Sequence, residues 1–89
     1  MAWSVEISRQ ARKDLDALDP QQARRLLSFL ADRIRGAQDP RRHGEALQGR
    51  LGSLWRYRVG DYRLICDLQG DRLVVLVVRV GHRREVYRG

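Results

Sequence analysis

The sequence predicts an α+β domain in which one strand and a two-helix hairpin precede three antiparallel strands that form a sheet packed on the helices. Three observations carry this. Trp3 to Ile7 alternates Trp, Val and Ile with Ser and Glu; Ser8 to Gly36 spaces its apolar residues at helical intervals, broken at Asp19-Pro20; and the stretch from Leu54 to Val80 is strand-like, punctuated by Gly60-Asp61 and Gly70-Asp71. At 89 residues the chain is expected to be a single domain, 1–89, with a small core.

The first strand, Trp3 to Ile7, has one apolar face, and Ser8 can then cap a helix from Arg9 to Leu18 with Ala11, Leu15 and Leu18 on its inner side. Asp19-Pro20 both ends that helix and starts the next. Asp19 suits the cap, Pro20 the first helical position and Gln22 a capping-box partner. Ala23, Leu26, Leu27, Leu30 and Ile34 form the apolar stripe of the second helix, and Gly36 stops it. Residues 37–53 hold Pro40, Gly44, Gly49 and Gly52, show little periodicity and read as a loop, with Leu47 and Leu51 expected on the core.

A two-residue turn at Gly60-Asp61 sets Val59 opposite Tyr62, Arg58 opposite Arg63 and Arg56 opposite Ile65. Pleat then puts Arg56, Arg58 and Arg63 on one face, with Trp55, Tyr57, Val59, Tyr62, Leu64 and Cys66 on the other. Like charges directly opposite one another repel, and a bound anion relieves that repulsion. The alternative is an ordinary solvated arginine face. After Gly70-Asp71, Leu73 to Val80 is apolar enough to be a buried central strand, and the tail from Gly81 to Gly89 contributes nothing to a core.

The formal charge is +7, and 17 of the 18 basic residues are arginine. Residues 1–40 carry net +1 and residues 41–89 net +6, so an anionic partner, nucleic acid or acidic protein, is expected to meet the C-terminal half. Arginine suits phosphate because its planar fork binds two oxygens at once. A lone cysteine, Cys66, excludes an internal disulfide, and with His43 and His82 it makes no familiar zinc spacing; the expected compartment is the cytoplasm. The N-terminus shows no secretory pattern and no apolar run reaches membrane-spanning length, so the protein is expected to be neither secreted nor embedded.

The order of elements, with Leu47-Gln48-Gly49, Leu54-Trp55-Arg56-Tyr57-Arg58-Val59, Asp61-Tyr62-Arg63-Leu64 and Val80-Gly81-His82-Arg83-Arg84-Glu85-Val86-Tyr87, resembles the RelE toxins of the RelE/ParE superfamily over nearly the whole chain. The resemblance implies a RelE-like, microbial-RNase-like fold and the toxin of a type II toxin-antitoxin system. It implies a metal-independent mRNA interferase, which enters the ribosomal A site and cuts the message by attack of a 2′-hydroxyl on the adjacent phosphate. No cofactor is implied. The implied partners are a cognate RelB-like antitoxin, the ribosome and its mRNA, with operator DNA an option through the antitoxin complex.

By position, Arg56, Arg58 and Arg63 would hold the phosphate, Arg83 would stabilise or protonate the leaving oxygen, and Tyr87 would stack on a base. Arg56 and Arg58 stand where the best-known member has lysines, and a guanidinium, protonated to beyond about pH 12, is a poor general base. His82, whose imidazole class titrates near neutrality, is a candidate for that role alongside Tyr87, the surroundings of the 2′-hydroxyl and ribosomal RNA. The alternative function is that of a ParE-like toxin, which inhibits DNA gyrase without catalysis; a third is an RNA-binding module without chemistry. Trp3 and Trp55 read as packing residues, His43 as solvated, Cys66 as a small buried hydrophobe, and Arg79 as either a support for the site or a solvent-reaching side chain.

Overall fold

Ser8 ends the first strand and starts the first helix with a single hydroxyl. The computed structural model, which describes residues 2–47 and 54–82, places β1 at Ser4–Ile7 and α1 at Arg9–Asp16. Ser8 Oγ accepts the Ala11 N–H at 3.0 Å and donates to the Val78 carbonyl at 3.2 Å, so the cap also ties α1 to a distant strand. Asp19 caps α2 (Pro20–Phe29) by accepting the Gln21 N–H, and Pro20 takes the first turn as expected.

The second helix continues as a π-helical segment, Leu30–Ile34, before Gly36 turns the chain at φ +79°. Leu26, Leu30 and Ile34 from the expected stripe are buried, whereas Leu27 is 42% exposed. Phe29, outside the expected stripe, packs its ring on Tyr57 with centroids 5.8 Å apart.

Residues 37–47 are more ordered than a loop. A 3-10 helix, Pro40–His43, is capped by Asp39, and a two-residue strand, β2 (Glu45–Ala46), pairs antiparallel with β3 (Leu54–Val59). Elements this short leave no periodicity to read. Packing holds them instead: Pro40 is buried and its carbonyl accepts the buried Tyr57 hydroxyl at 2.8 Å. Leu47 is half-buried but outside the core cluster, and Leu51 lies outside the described residues.

β4 (Tyr62–Gln69) and β5 (Val74–His82) complete a five-stranded sheet of order β1-β5-β4-β3-β2, in which β1 runs parallel to β5 and the other neighbours are antiparallel. The β3–β4 register is the one the turn residues predict, with Arg58 opposite Arg63 and Arg56 opposite Ile65. The turn after β4 is longer than Gly70-Asp71 alone. It runs through Leu73, which adopts φ +53°, so β5 starts at Val74 and sits between β1 and β4.

One sheet face carries Tyr57, Val59, Leu64, Cys66, Leu68, Val75, Val77 and Val80 against Ala11, Leu15, Leu26, Leu30 and Ile34 of the helices. Each valine, leucine or isoleucine side chain buried there contributes about 1.5–3 kcal/mol. Val77 and Val80 share this face although three residues apart, because β5 bulges between the pairs Cys66–Val77 and Ile65–Arg79. Both helix-side partners of the bulge are polar: Ser8 Oγ on the Val78 carbonyl and the Asp14 carboxylate on the Val80 N–H, at 2.9 Å.

Candidate nucleic-acid interface

The hairpin turn, with Gly60 at φ +61°, lets β3 and β4 meet in the register that sets three guanidiniums on the sheet face opposite the helices. Their exposure differs sharply. Arg58 on β3 is exposed, the Arg56 side chain is 16% exposed, and Arg63 is buried at 8%. The expected open arginine face is therefore graded. Arg63 lies on β4, the middle strand of five, while Arg56 and Arg58 lie one strand from the sheet edge. Arg63 Nη1 donates to the Tyr62 carbonyl at 3.2 Å.

Beside Arg56 and Arg58 the 3-10 helix and β2 build a wall. The concavity between them, about 250 Å³, is lined by Arg42, His43, Gly44, Glu45, Arg56 and Arg58. A second, polar concavity of about 500 Å³ shares Arg42 and His43 and reaches Arg33 and Asp39. Glu45 stands opposite Arg56 in the β2–β3 ladder; its Oε2 accepts from Arg56 Nη2 at 2.7 Å and its Oε1 lies 3.5 Å from Arg58 Nη2. In this structure the protein's own carboxylate, Glu45, stands as an anion between Arg56 and Arg58.

Gly44 makes that approach possible. A Cβ at Gly44 would collide with the Arg56 carbonyl, the Trp55 indole and the Tyr57 ring. Glu45, Arg42 and His43 were not singled out as site residues by the sequence. The available signal was that Glu45 is the one acid among residues 41–60, a stretch with five arginines. His43, expected to be solvated, is exposed but lines both concavities.

His82 is not beside the arginines. It pairs with Tyr62, their rings edge to face at 5.9 Å, while the next pair inward is Arg63 with Gly81. Pleat therefore puts His82 on the helix-side face with Leu64 and Val80, across the sheet from Arg63. The bulge at Val78 is the cause, since one extra residue reverses the alternation along the rest of β5. Arg83 and Tyr87 lie outside the described residues.

Arg79, at the bulge, donates through Nε to Asp14 at 3.1 Å and so supports the strand end. Partial burial alone would raise the Asp14 carboxyl, but hydrogen bonds from the Val80 N–H, Gln10 and Arg79, with the Arg79 charge, outweigh it and hold the group below the ordinary carboxylate range. Burial pushes the Cys66 thiol well up, consistent with a small core residue. Trp3 is buried and lies under the Arg41 guanidinium, 5.6 Å from its carbon, and Trp55 is packed at the core margin. Among the described residues no group of three or more His, Cys, Asp or Glu is placed to hold a metal, and no helix is long and apolar enough to cross a membrane.

The sequence matches, over residues 5–87, the family model described as ParE toxin of type II toxin-antitoxin system, parDE. It is 30% identical over 88 residues to Toxin RelG of Mycobacterium tuberculosis, covering 99% of each chain. Among solved structures, the toxin-antitoxin complex RelBE2 of M. tuberculosis aligns with a TM-score of 0.83 and 28% identity, covering 93% of this chain and 100% of that one. The RelE-RelB complex of Pyrococcus horikoshii OT3 aligns with a TM-score of 0.71 and 26% identity, over 96% and 99%. A mutant of the E. coli toxin RelE in the free state shares the fold, with a TM-score of 0.77 at 23% identity, over 99% and 93%. With the family model spanning nearly the whole chain and the α+β fold matching these toxins throughout, the protein belongs to the RelE/ParE superfamily, as a toxin of a type II toxin-antitoxin system.

Proposed function

We propose that the protein is a ribosome-dependent mRNA endoribonuclease. The single observation that carries this is the arginine cluster, with Arg58 directly opposite Arg63 and Arg56 on the same face, beside a polar groove of about 250 Å³. In the proposed reaction the 2′-oxygen forms a bond to the adjacent phosphorus, and the bond from phosphorus to the 5′-oxygen breaks. The products are a 2′,3′-cyclic phosphate and a 5′-hydroxyl. The pentavalent arrangement carries added negative charge, and guanidiniums fixed by a sheet stabilise it without reorganising. Arg56 and Arg58 meet the phosphate at the groove and the buried Arg63 supports it from the middle strand.

Arg83 is assigned to the leaving oxygen and Tyr87 to stacking on a base of the codon, both from the family resemblance. His82, turned to the other face, is a weaker candidate for proton transfer than the sequence suggests. A RelB-like antitoxin is the proposed partner, because solved relatives of this fold are RelB-RelE complexes. Its covering segment is expected to be acidic or amphipathic. The site of action is the cytoplasm, where ribosomes and message meet.

Programmed ribosomes incubated with the protein should yield message 5′ ends in the A site. Cuts that persist undiminished in Arg63→Ala and Arg83→Ala proteins would remove this mechanism. The family model's ParE description supports a second reading, inhibition of DNA gyrase. A supercoiling assay separates the two: a messenger nuclease leaves gyrase active.

A further inference from the structure

We infer that Glu45 is an intramolecular occupant of the phosphate seat, holding Arg56 and Arg58 in place until an RNA phosphodiester displaces it; this rests on the proposed RNA-cleaving function. Glu45 presents two oxygens and one negative charge, as does the non-bridging pair of a phosphodiester. One oxygen engages Arg56 at 2.7 Å and the other faces Arg58 at 3.5 Å. Strand pairing, not chance side-chain contact, puts it there, since Glu45 and Arg56 are ladder partners and Gly44 lets the backbone close on β3.

Exposure supports displacement. The Glu45 and Arg58 side chains are 55% and 58% exposed, so water screens the contact and the ion pair is weak enough to exchange. Arg56 is far less exposed, at 16%, and keeps its position when the carboxylate leaves. Among the described residues the groove is lined by Arg42, Arg56 and Arg58 against one acid, Glu45, so this lining stays cationic with Glu45 in place and gains one charge when Glu45 swings out. Glu45 is thus a positioning residue. It keeps the seat formed in the free protein and sets how tightly polyanions bind.

The test is the affinity of a short single-stranded DNA oligonucleotide, whose sugars lack the attacking hydroxyl, measured across salt concentration for the intact protein, Glu45→Gln, Arg58→Ala and the double variant. Circular dichroism checks that each is folded. Glu45→Gln should bind roughly two- to fivefold tighter at low salt. The slope of log affinity against log salt should steepen, because breaking the Glu45 ion pairs, which salt itself favours, is no longer part of binding. The gain should shrink when Arg58 is also replaced. Unchanged or weaker binding by Glu45→Gln, or an equal gain without Arg58, overturns the inference. So does lost message cleavage in Glu45→Gln with unaltered oligonucleotide affinity, which would place the carboxylate in the chemistry. If the affinity pattern holds but the intact protein cuts no message, the cleavage reading fails alone.

Discussion

The carboxylate of Asp14 accepts the backbone N–H of Val80 at 2.9 Å, joining α1 to the part of β5 that leads to His82. The same oxygen accepts from Arg79 Nε at 3.1 Å, and the Asp14 side chain is only 12% exposed. This bond therefore fixes the bulge that decides which face the end of β5 presents.

Replacing Asp14 with Ala should cost about 1.5–3 kcal/mol, because a charge-assisted bond is lost and the Val80 N–H is left without it. The pH dependence follows from the depressed carboxyl. Its stabilising contribution is complete above the unfolded carboxylate range and disappears as pH falls through the lower folded value. Urea unfolding at neutral and acidic pH should show the wild type losing this contribution in acid and Asp14→Asn showing a smaller acid loss.

Arg63→Ala should reduce A-site cleavage by roughly 100-fold or more, the scale for removing one fixed stabiliser of developing charge. Arg58→Ala should reduce it less, because its exposed guanidinium is better screened. Primer extension on programmed ribosomes reads both.

Gly44→Ala should be disproportionately harmful for a single methyl. The added carbon meets the Arg56 carbonyl, which is backbone and cannot rotate away, so β2 must lift from β3. A loss of about 1–3 kcal/mol is expected, measured by thermal unfolding. Oligonucleotide affinity at fixed temperature should change with it, because Glu45 loses its position.

Cys66 is buried and its thiol is pushed up by burial, so a neutral-pH alkylating agent should leave it unmodified in the native protein and label it after denaturation. Intact mass before and after denaturant checks this.

Tyr57→Phe should lower stability by about 1–2 kcal/mol, since the buried Pro40 carbonyl loses its hydroxyl donor. The 3-10 helix that lines both concavities would loosen, and a lower Tm would report it.

Local chemistry determined much of this protein from the sequence alone. The turn at Gly60-Asp61, with alternation on both sides, permits one register that buries Tyr57, Val59 and Leu64 together, because a one-residue slip would put Tyr57 and Val59 of β3 on the opposite face from Leu64 of β4. The caps at Ser8 and Asp19 were legible for the same reason: each acts on its own next turn. Only the tertiary structure decided where His82 points, how deeply Arg63 is buried and that Glu45 sits on Arg56. The bulge that turns His82 away is held by Ser8 and Asp14, 70 and 66 residues from their partners, and β2 exists because Gly44 fits against β3. Contacts of that range leave no period in a sequence, since they depend on which surfaces the folded elements bring together.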